Sequence, residues 1–266
     1  IVEGMLDLHS TEKLLRAPII YRANINDIML TAIGMALCDW CTAQYNYELG
    51  DPLIALEGHG REDDVDLTQT VGWFTSLFPI RLEVSDLDLK SDDNPGYGIR
   101  RIKECLRSFP NKGIRYGILK HYDSESALSS DNLNRPQILF NYLGRFERTN
   151  KKSADWQFAE FGLSSSLDDD NRRREYLIEI NAIIDQTGHL KFNIIYCPFA
   201  HSESSMLAFA RTIEIALKSA SVHCLKTPLP NCYTPTDFPL LGSQQVAEIP
   251  IINQEILDEL IKNNPY

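Results

Sequence analysis

L-I-E-I-N-A-I-I-D-Q-T-G-H-L-K-F-N-I-I-Y, residues 177–196, decides the class of fold. Two runs with a period of two flank Q-T-G-H, and Gly188 sits where a tight turn needs it. The stretch therefore reads as a long β-hairpin. Upstream, I-L-F-N-Y-L at 138–143 reads as a further strand. Downstream the period changes, and Met206, Ala210, Ile213, Leu217 and Ala220 mark one face of a helix. Toward the N-terminus, residues 4–9 read as a short strand. Ser10 and Thr11 are the expected N-cap of a helix through Leu14 and Leu15. Ile25, Ile28, Met29, Ala32, Ile33, Ala36, Leu37 and Trp40 form a broad apolar stripe, the mark of a buried helix over residues 24–41. Residues 52–59 read as extended. Ile99, Ile102, Leu106 and Phe109 share a helical face that Pro110 stops. No repeat is apparent. Strands and helices interleaved in this way predict an α/β (α+β) domain, a mixed sheet packed with helices.

The totals narrow the function. The 266 residues carry a net charge of -11, with 43% hydrophobic and 24% charged positions. Such a chain is an ordinary globular one with ample core. Its charge argues against nucleic acid or an anionic membrane as a partner. No apolar run reaches the roughly 18 residues that a membrane span needs, and I-V-E-G-M-L-D-L is no signal peptide. A cytoplasmic setting is expected. The absence of an initiator methionine suggests a piece cut from something longer. Cys38-Asp39-Trp40-Cys41 spells C-x-x-C, but it has no second pair and no strand leading into it. The six cysteines are expected as reduced core and surface thiols.

Four stretches hold the candidate chemistry. L-E-G-H-G-R-E (56–62) crowds titratable groups between glycines. If it is extended, Glu57, His59 and Arg61 share one face and Glu62 projects opposite. The glycines leave room for a ligand or another backbone. A carboxylate beside an imidazole and a guanidinium suits acid–base or anion-orienting work, although a surface salt-bridge cluster has the same composition. T-V-G-W-F-T-S-L-F-P (70–79) puts Trp73, Phe74 and Phe78 where aromatic residues usually enter a core. P-N-K-G-I-R-Y-G (110–117) reads as helix-stop chemistry, with Lys112 and Arg115 available to a phosphate. F-N-Y-L-G (140–144) sets Tyr142 and Asn141 on opposite faces of a strand. The polar run at 164–175 reads as a solvated loop, and the tail beyond 241 has one short helical pattern at 253–262.

In their order and spacing these four motifs, closed by Y-T-P-T-D-F-P-L (233–240), resemble the epimerization domains of nonribosomal peptide synthetases. N-I-N-D-I-M-L-T-A is similar to the wider condensation-domain superfamily. The resemblance covers residues 1–240 and leaves 241–266 as a linker or tail toward a following module. It implies a chloramphenicol-acetyltransferase-like fold of two α/β lobes with the active site between them. The implied reaction converts a carrier-bound L-aminoacyl or peptidyl thioester to the D form by removing and returning the α-proton. No cofactor is bound directly, because the substrate hangs on the phosphopantetheine of a carrier domain. No metal is implied, and there is no pyridoxal signature.

Carried over residue by residue, the resemblance makes Glu57 a catalytic acid–base group and implicates Tyr142. His59, Arg61, Trp73 and Asn141 are candidate substrate or oxyanion contacts. The family's histidine motif, H-H-x-x-x-D-G, matches none of the six histidines here. The chain is therefore expected to be a C-terminal lobe, inactive alone. Its expected partners are the N-terminal lobe, a peptidyl carrier domain, and adenylation and downstream condensation domains. Arg115 and Arg145 stand where the family usually has glycine and glutamine. Amide formation by a condensation domain, and a non-catalytic lobe on which carriers dock, are the competing readings.

Overall fold

The computed structural model describes residues 1–61, 66–123, 128, 135–146, 174–226 and 232–238. The expected hairpin is present as β5 (Ile178–Ile184) and β6 (Leu190–Tyr196), antiparallel with Ile180 opposite Ile194. The turn is longer than Q-T-G-H. Asp185 accepts from the backbone N–H of Thr187 and of His189 and pairs with Lys191 at 2.8 Å, while Gly188 takes φ +86°. Those bonds hold the Asp185 carboxyl well below the ordinary range even though burial opposes them.

The hairpin lies within one six-stranded sheet with the order β1-β6-β5-β4-β2-β3. Its other members are β1 (Val2–Met5), β2 (Leu53–Gly58), β3 (Ser76–Arg81) and β4 (Ile138–Arg145). The β2–β4 and β4–β5 pairs are parallel and the other three are antiparallel, so the sheet is mixed, as the sequence indicated. The first strand is displaced from the expected 4–9. Asp7, rather than Ser10 or Thr11, caps α1 (Leu8–Tyr21), its carboxylate accepting from the Ser10 N–H at 2.8 Å. A helix cap within the expected span leaves only Val2–Met5 for the sheet.

Helix α2 (Ile25–Tyr45) is buried along most of its length, as its broad apolar stripe requires. Helices α3 (Asn94–Ser108) and α5 (Glu203–Lys226) pack with α1 and α2. Together they cover one face of the sheet, meeting Ile54, Leu56, Phe140, Ile180, Phe192 and Ile194 in a single core. A short helix, α4 (Ile114–His121), lies against β3. Neither α4 nor β3 was anticipated. Pro79 removes a ladder donor, which edge strands tolerate and which hides them from pattern reading. Helix α4 buries none of its residues and so carries no apolar stripe.

Cys38, Cys41 and Cys224 are buried thiols, and burial pushes the first two up to about 12 and about 11. A thiol that ionises so reluctantly is a packing group rather than a redox nucleophile. Among the described residues no helix is long and apolar enough to cross a membrane. The polar run is described only from 174 onward, and the 253–262 pattern, the tail and Glu62 lie outside the described residues.

Candidate functional site

Strand parity builds the site. In β2, Ile54 and Leu56 face the helices, so Ala55 and Glu57 face the other way. Leu56 is in register with Phe140 of β4, which places Asn141 beside Glu57. The Asn141 side-chain N–H donates to Glu57 Oε2 at 2.7 Å. Glu57 is exposed by area, yet its carboxyl sits above the ordinary range. Desolvation by its surroundings is the largest cause, repulsion from Glu179 adds to it, and the Asn141 bond opposes both. Glu179 stands on β5, in register with Leu139 and hence on the same face. The result is a carboxylate with raised basicity, held by one carboxamide and biased by a second acid.

The expected face of Glu57, His59 and Arg61 does not form. β2 ends at Gly58 and Gly60 turns with φ +65°, so the alternation stops before His59. A Cβ on Gly60 would lie 1.5 Å from the carbonyl oxygen of Phe74, which explains the glycine by both its dihedral and its lack of space. Arg61 turns back on its own loop. Its guanidinium donates to the carbonyls of Leu67 and of Thr70, the latter at 2.9 Å, and lies 4.2 Å above the Phe74 ring. The Arg61 backbone N–H also donates to His59 Nδ1 at 3.2 Å, which places a neutral ring's proton on Nε2. Arg61 is thus the organiser of the 67–74 loop.

Trp73 is 90% exposed, which corrects the expectation that it enters the core. Phe74 is half-buried under Arg61, and only Phe78 joins the core, its ring 5.0 Å from that of Phe109. The reason is strand geometry: Phe78 lies within β3 on the helix-facing side, whereas Trp73 precedes the strand. Tyr142 lies on the opposite face of β4 from Asn141 and packs against the helix-side core. Burial raises its hydroxyl pKa and Arg145 works against the rise. The structure therefore brings Asn141 to Glu57 and sets Tyr142 behind the sheet.

A cleft of about 860 Å³ lies near Glu57, between β3, α4 and the residues that lead into β4 and β5. It is lined by Ala55, by Leu77, the register partner of Glu57, and by Tyr176. Burial pushes the Tyr176 hydroxyl up to about 12, and Glu175 and Glu57 add to the shift. Lys120, Arg135 and Arg174 also line the cleft, a local concentration of cations in an acidic chain. Sequence reading missed Glu179, Tyr176 and the cleft. Glu179 was within reach of parity, since E-I-N alternates in the quoted hairpin. The cleft depends on tertiary packing of α4 against β3. Among the described residues no group of three His, Cys, Asp or Glu side chains is placed to hold a metal.

The comparisons with known proteins agree with this architecture. An epimerization domain from the third module of tyrocidine synthetase B superposes with a TM-score of 0.70 at 32% identity, covering 85% of this chain and 48% of that one. A condensation domain of the Monacolin K polyketide synthase, at 15% identity and a TM-score of 0.57, shares the fold over 83% of this chain and 46% of that one. Gramicidin S synthase 1 of Brevibacillus brevis is 33% identical over 245 residues, 88% of this chain and 21% of that protein. Tyrocidine synthase 2 of Brevibacillus parabrevis is 34% identical over 253 residues, 91% of this chain and 6% of that protein. The chain thus spans a small part of the curated relatives it matches. The family profile described as Condensation domain matches residues 4–234, and the chain belongs to the condensation-domain family.

Proposed function

We propose that this chain is one lobe of a peptide-synthetase epimerization domain and that Glu57 is one of its two acid–base groups. The observation that carries the reading is the Asn141–Glu57 hydrogen bond on the sheet face opposite the helices, with a carboxyl whose pKa is raised. A carbon acid α to a thioester is weak, and a carboxylate of raised pKa abstracts its proton more readily than an ordinary one. Glu57 would take the α-proton as the C–H bond breaks and its electron pair moves into the thioester carbonyl as an enolate. A second group then delivers its own proton to the other face of that carbon, while the proton taken by Glu57 exchanges with solvent. The 32% identity with the tyrocidine synthetase epimerization domain supports the same assignment. Tyr142, behind the sheet, supports the strand that carries Asn141.

The cationic cleft near Glu57 suits the phosphodiester of a phosphopantetheine arm, which would bring the thioester to the carboxylate from α4 and the N-terminal ends of β4 and β5. None of the six histidines belongs to H-H-x-x-x-D-G, so the second acid–base group comes from a companion lobe. The match to the condensation-domain profile keeps amide formation as the second reading. One assay separates them: deuterium uptake from solvent at the α-carbon of a carrier-bound L-aminoacyl or peptidyl thioester. The chain alone should give none, the chain joined to a first lobe should give uptake, and Glu57→Gln should lower that uptake roughly 100-fold or more. Absence of uptake in the two-lobed form, with the carrier still bound, would overturn the epimerase reading in favour of condensation or docking.

A further inference from the structure

The sheet face opposite the helices carries more than Glu57. Asn141 of β4 is in register with Asn181 of β5, and Asn181 with Asn193 of β6. Register partners point to the same face, so three carboxamides form a row across three neighbouring strands, beginning at the residue that holds Glu57. All three are half-buried. The side-chain oxygen of Asn193 is buried and accepts no hydrogen bond among the described residues. A buried acceptor left unpaired is uncommon in a stable fold and calls for a ligand or partner that meets it. The row runs across the strands, whereas the cleft's Arg135 and Arg174 lie just before β4 and β5, at the N-terminal ends of those strands, and its Lys120 lies on α4.

A carboxamide offers both a donor pair and an acceptor, the complement of a secondary amide. Adjacent strands are about 4.8 Å apart, so the row extends roughly 14 Å from Glu57 to Asn193, the reach of about four extended residues. We propose that Asn181 and Asn193 form a subsite for secondary amides of the tethered substrate, and that the chain therefore acts on a peptidyl rather than an aminoacyl thioester. This rests on the epimerase reading for the position of the reacting carbon at Glu57. The pantetheine arm has secondary amides too. The cationic cleft draws its phosphate toward α4 and the N-terminal ends of β4 and β5, along the strands from Asn141 and Asn181, which leaves the row across β4, β5 and β6 for the acyl chain.

Side-chain amide resonances of the isotopically labelled chain report directly on the row. The probes are two non-hydrolysable pantetheine amides, one carrying alanine and the other N-acetyl-glycyl-alanine. The peptidyl probe should shift the Asn181 and Asn193 side-chain resonances and the aminoacyl probe should not. Asn181→Leu and Asn193→Leu should each weaken the peptidyl probe roughly three- to tenfold, the worth of one neutral hydrogen bond. Equal shifts with both probes would assign the row to pantetheine and overturn the peptidyl inference, as would no shift with either. The resonance readout needs no turnover. Shifts without deuterium uptake would sink the epimerase reading and leave the amide subsite standing, and uptake without shifts would do the reverse.

Discussion

Glu57 is set by three neighbours that act in different directions. Desolvation and Glu179 raise its pKa, while Asn141 lowers it by bonding the charged form. Proton abstraction needs the ionised carboxylate, so the acid limb of the uptake-versus-pH profile should lie above the ordinary glutamate range. Asn141→Leu removes the bond to the charged form and should move that limb further up. Glu179→Gln removes a repulsion and should move it down. A shift in the wrong direction for either variant would mean that another group sets the limb. Gly60→Ala should destabilise the chain by more than about 2 kcal/mol in urea unfolding, since it strains a left-handed backbone and drives a methyl into the Phe74 carbonyl. The residue types of L-E-G-H-G-R-E were legible as chemistry, but their directions were not. A single positive φ at Gly60 ends the alternation on which the shared-face expectation rested.

At the scale of elements, the end of the described chain is tied to α3 by charge. Lys103 is 0% exposed and donates to the carbonyl of Tyr21 at 2.7 Å while pairing with Asp237. Arg107 pairs with the same carboxylate at 2.7 Å, and the Thr236 hydroxyl bonds to Glu104. Burial pushes the Asp237 carboxyl up, but the bonds from Lys103 and Arg107 outweigh it and hold it below the ordinary range. A depressed carboxyl contributes stability above its unfolded pKa and loses it as the pH falls through the folded value. Melting temperature should therefore drop as the pH is taken below about 4. Asp237→Asn should flatten part of that drop. Lys103→Met alone leaves the Asp237 charge buried with less compensation and should cost roughly 3–5 kcal/mol, whereas Lys103→Met with Asp237→Leu should recover most of it. The helix of Lys103 was legible, because its apolar face and Pro110 are local signals. Its ionic partner was not, because nothing near Lys103 in the chain foretells Asp237.

At the scale of the whole molecule, four helices among the described residues cover one side of a mixed sheet and the other side carries the proposed site. The core on the covered side includes Cys38, Cys41 and Cys224. With burial raising all three thiols, they should resist a thiol-specific reagent in the native chain and react only at the rate of unfolding. Rapid native labelling would show that this core opens locally. The sequence by itself determined most of the strands and helices, because the periods 2 and 3.6 are written in neighbouring residues and need no partner; β3 and α4, which carry no such period, escaped it. It also determined the density of chemistry around Glu57. Only the tertiary structure decided that Glu57, Asn141, Glu179, Asn181 and Asn193 share a face, that Tyr142 stands behind them, and that a cationic cleft adjoins them. Strand register is set by burying the apolar residues of distant segments under the same helices. Once Ile54, Phe140, Ile180 and Ile194 turn inward, parity carries their polar neighbours together on the other side.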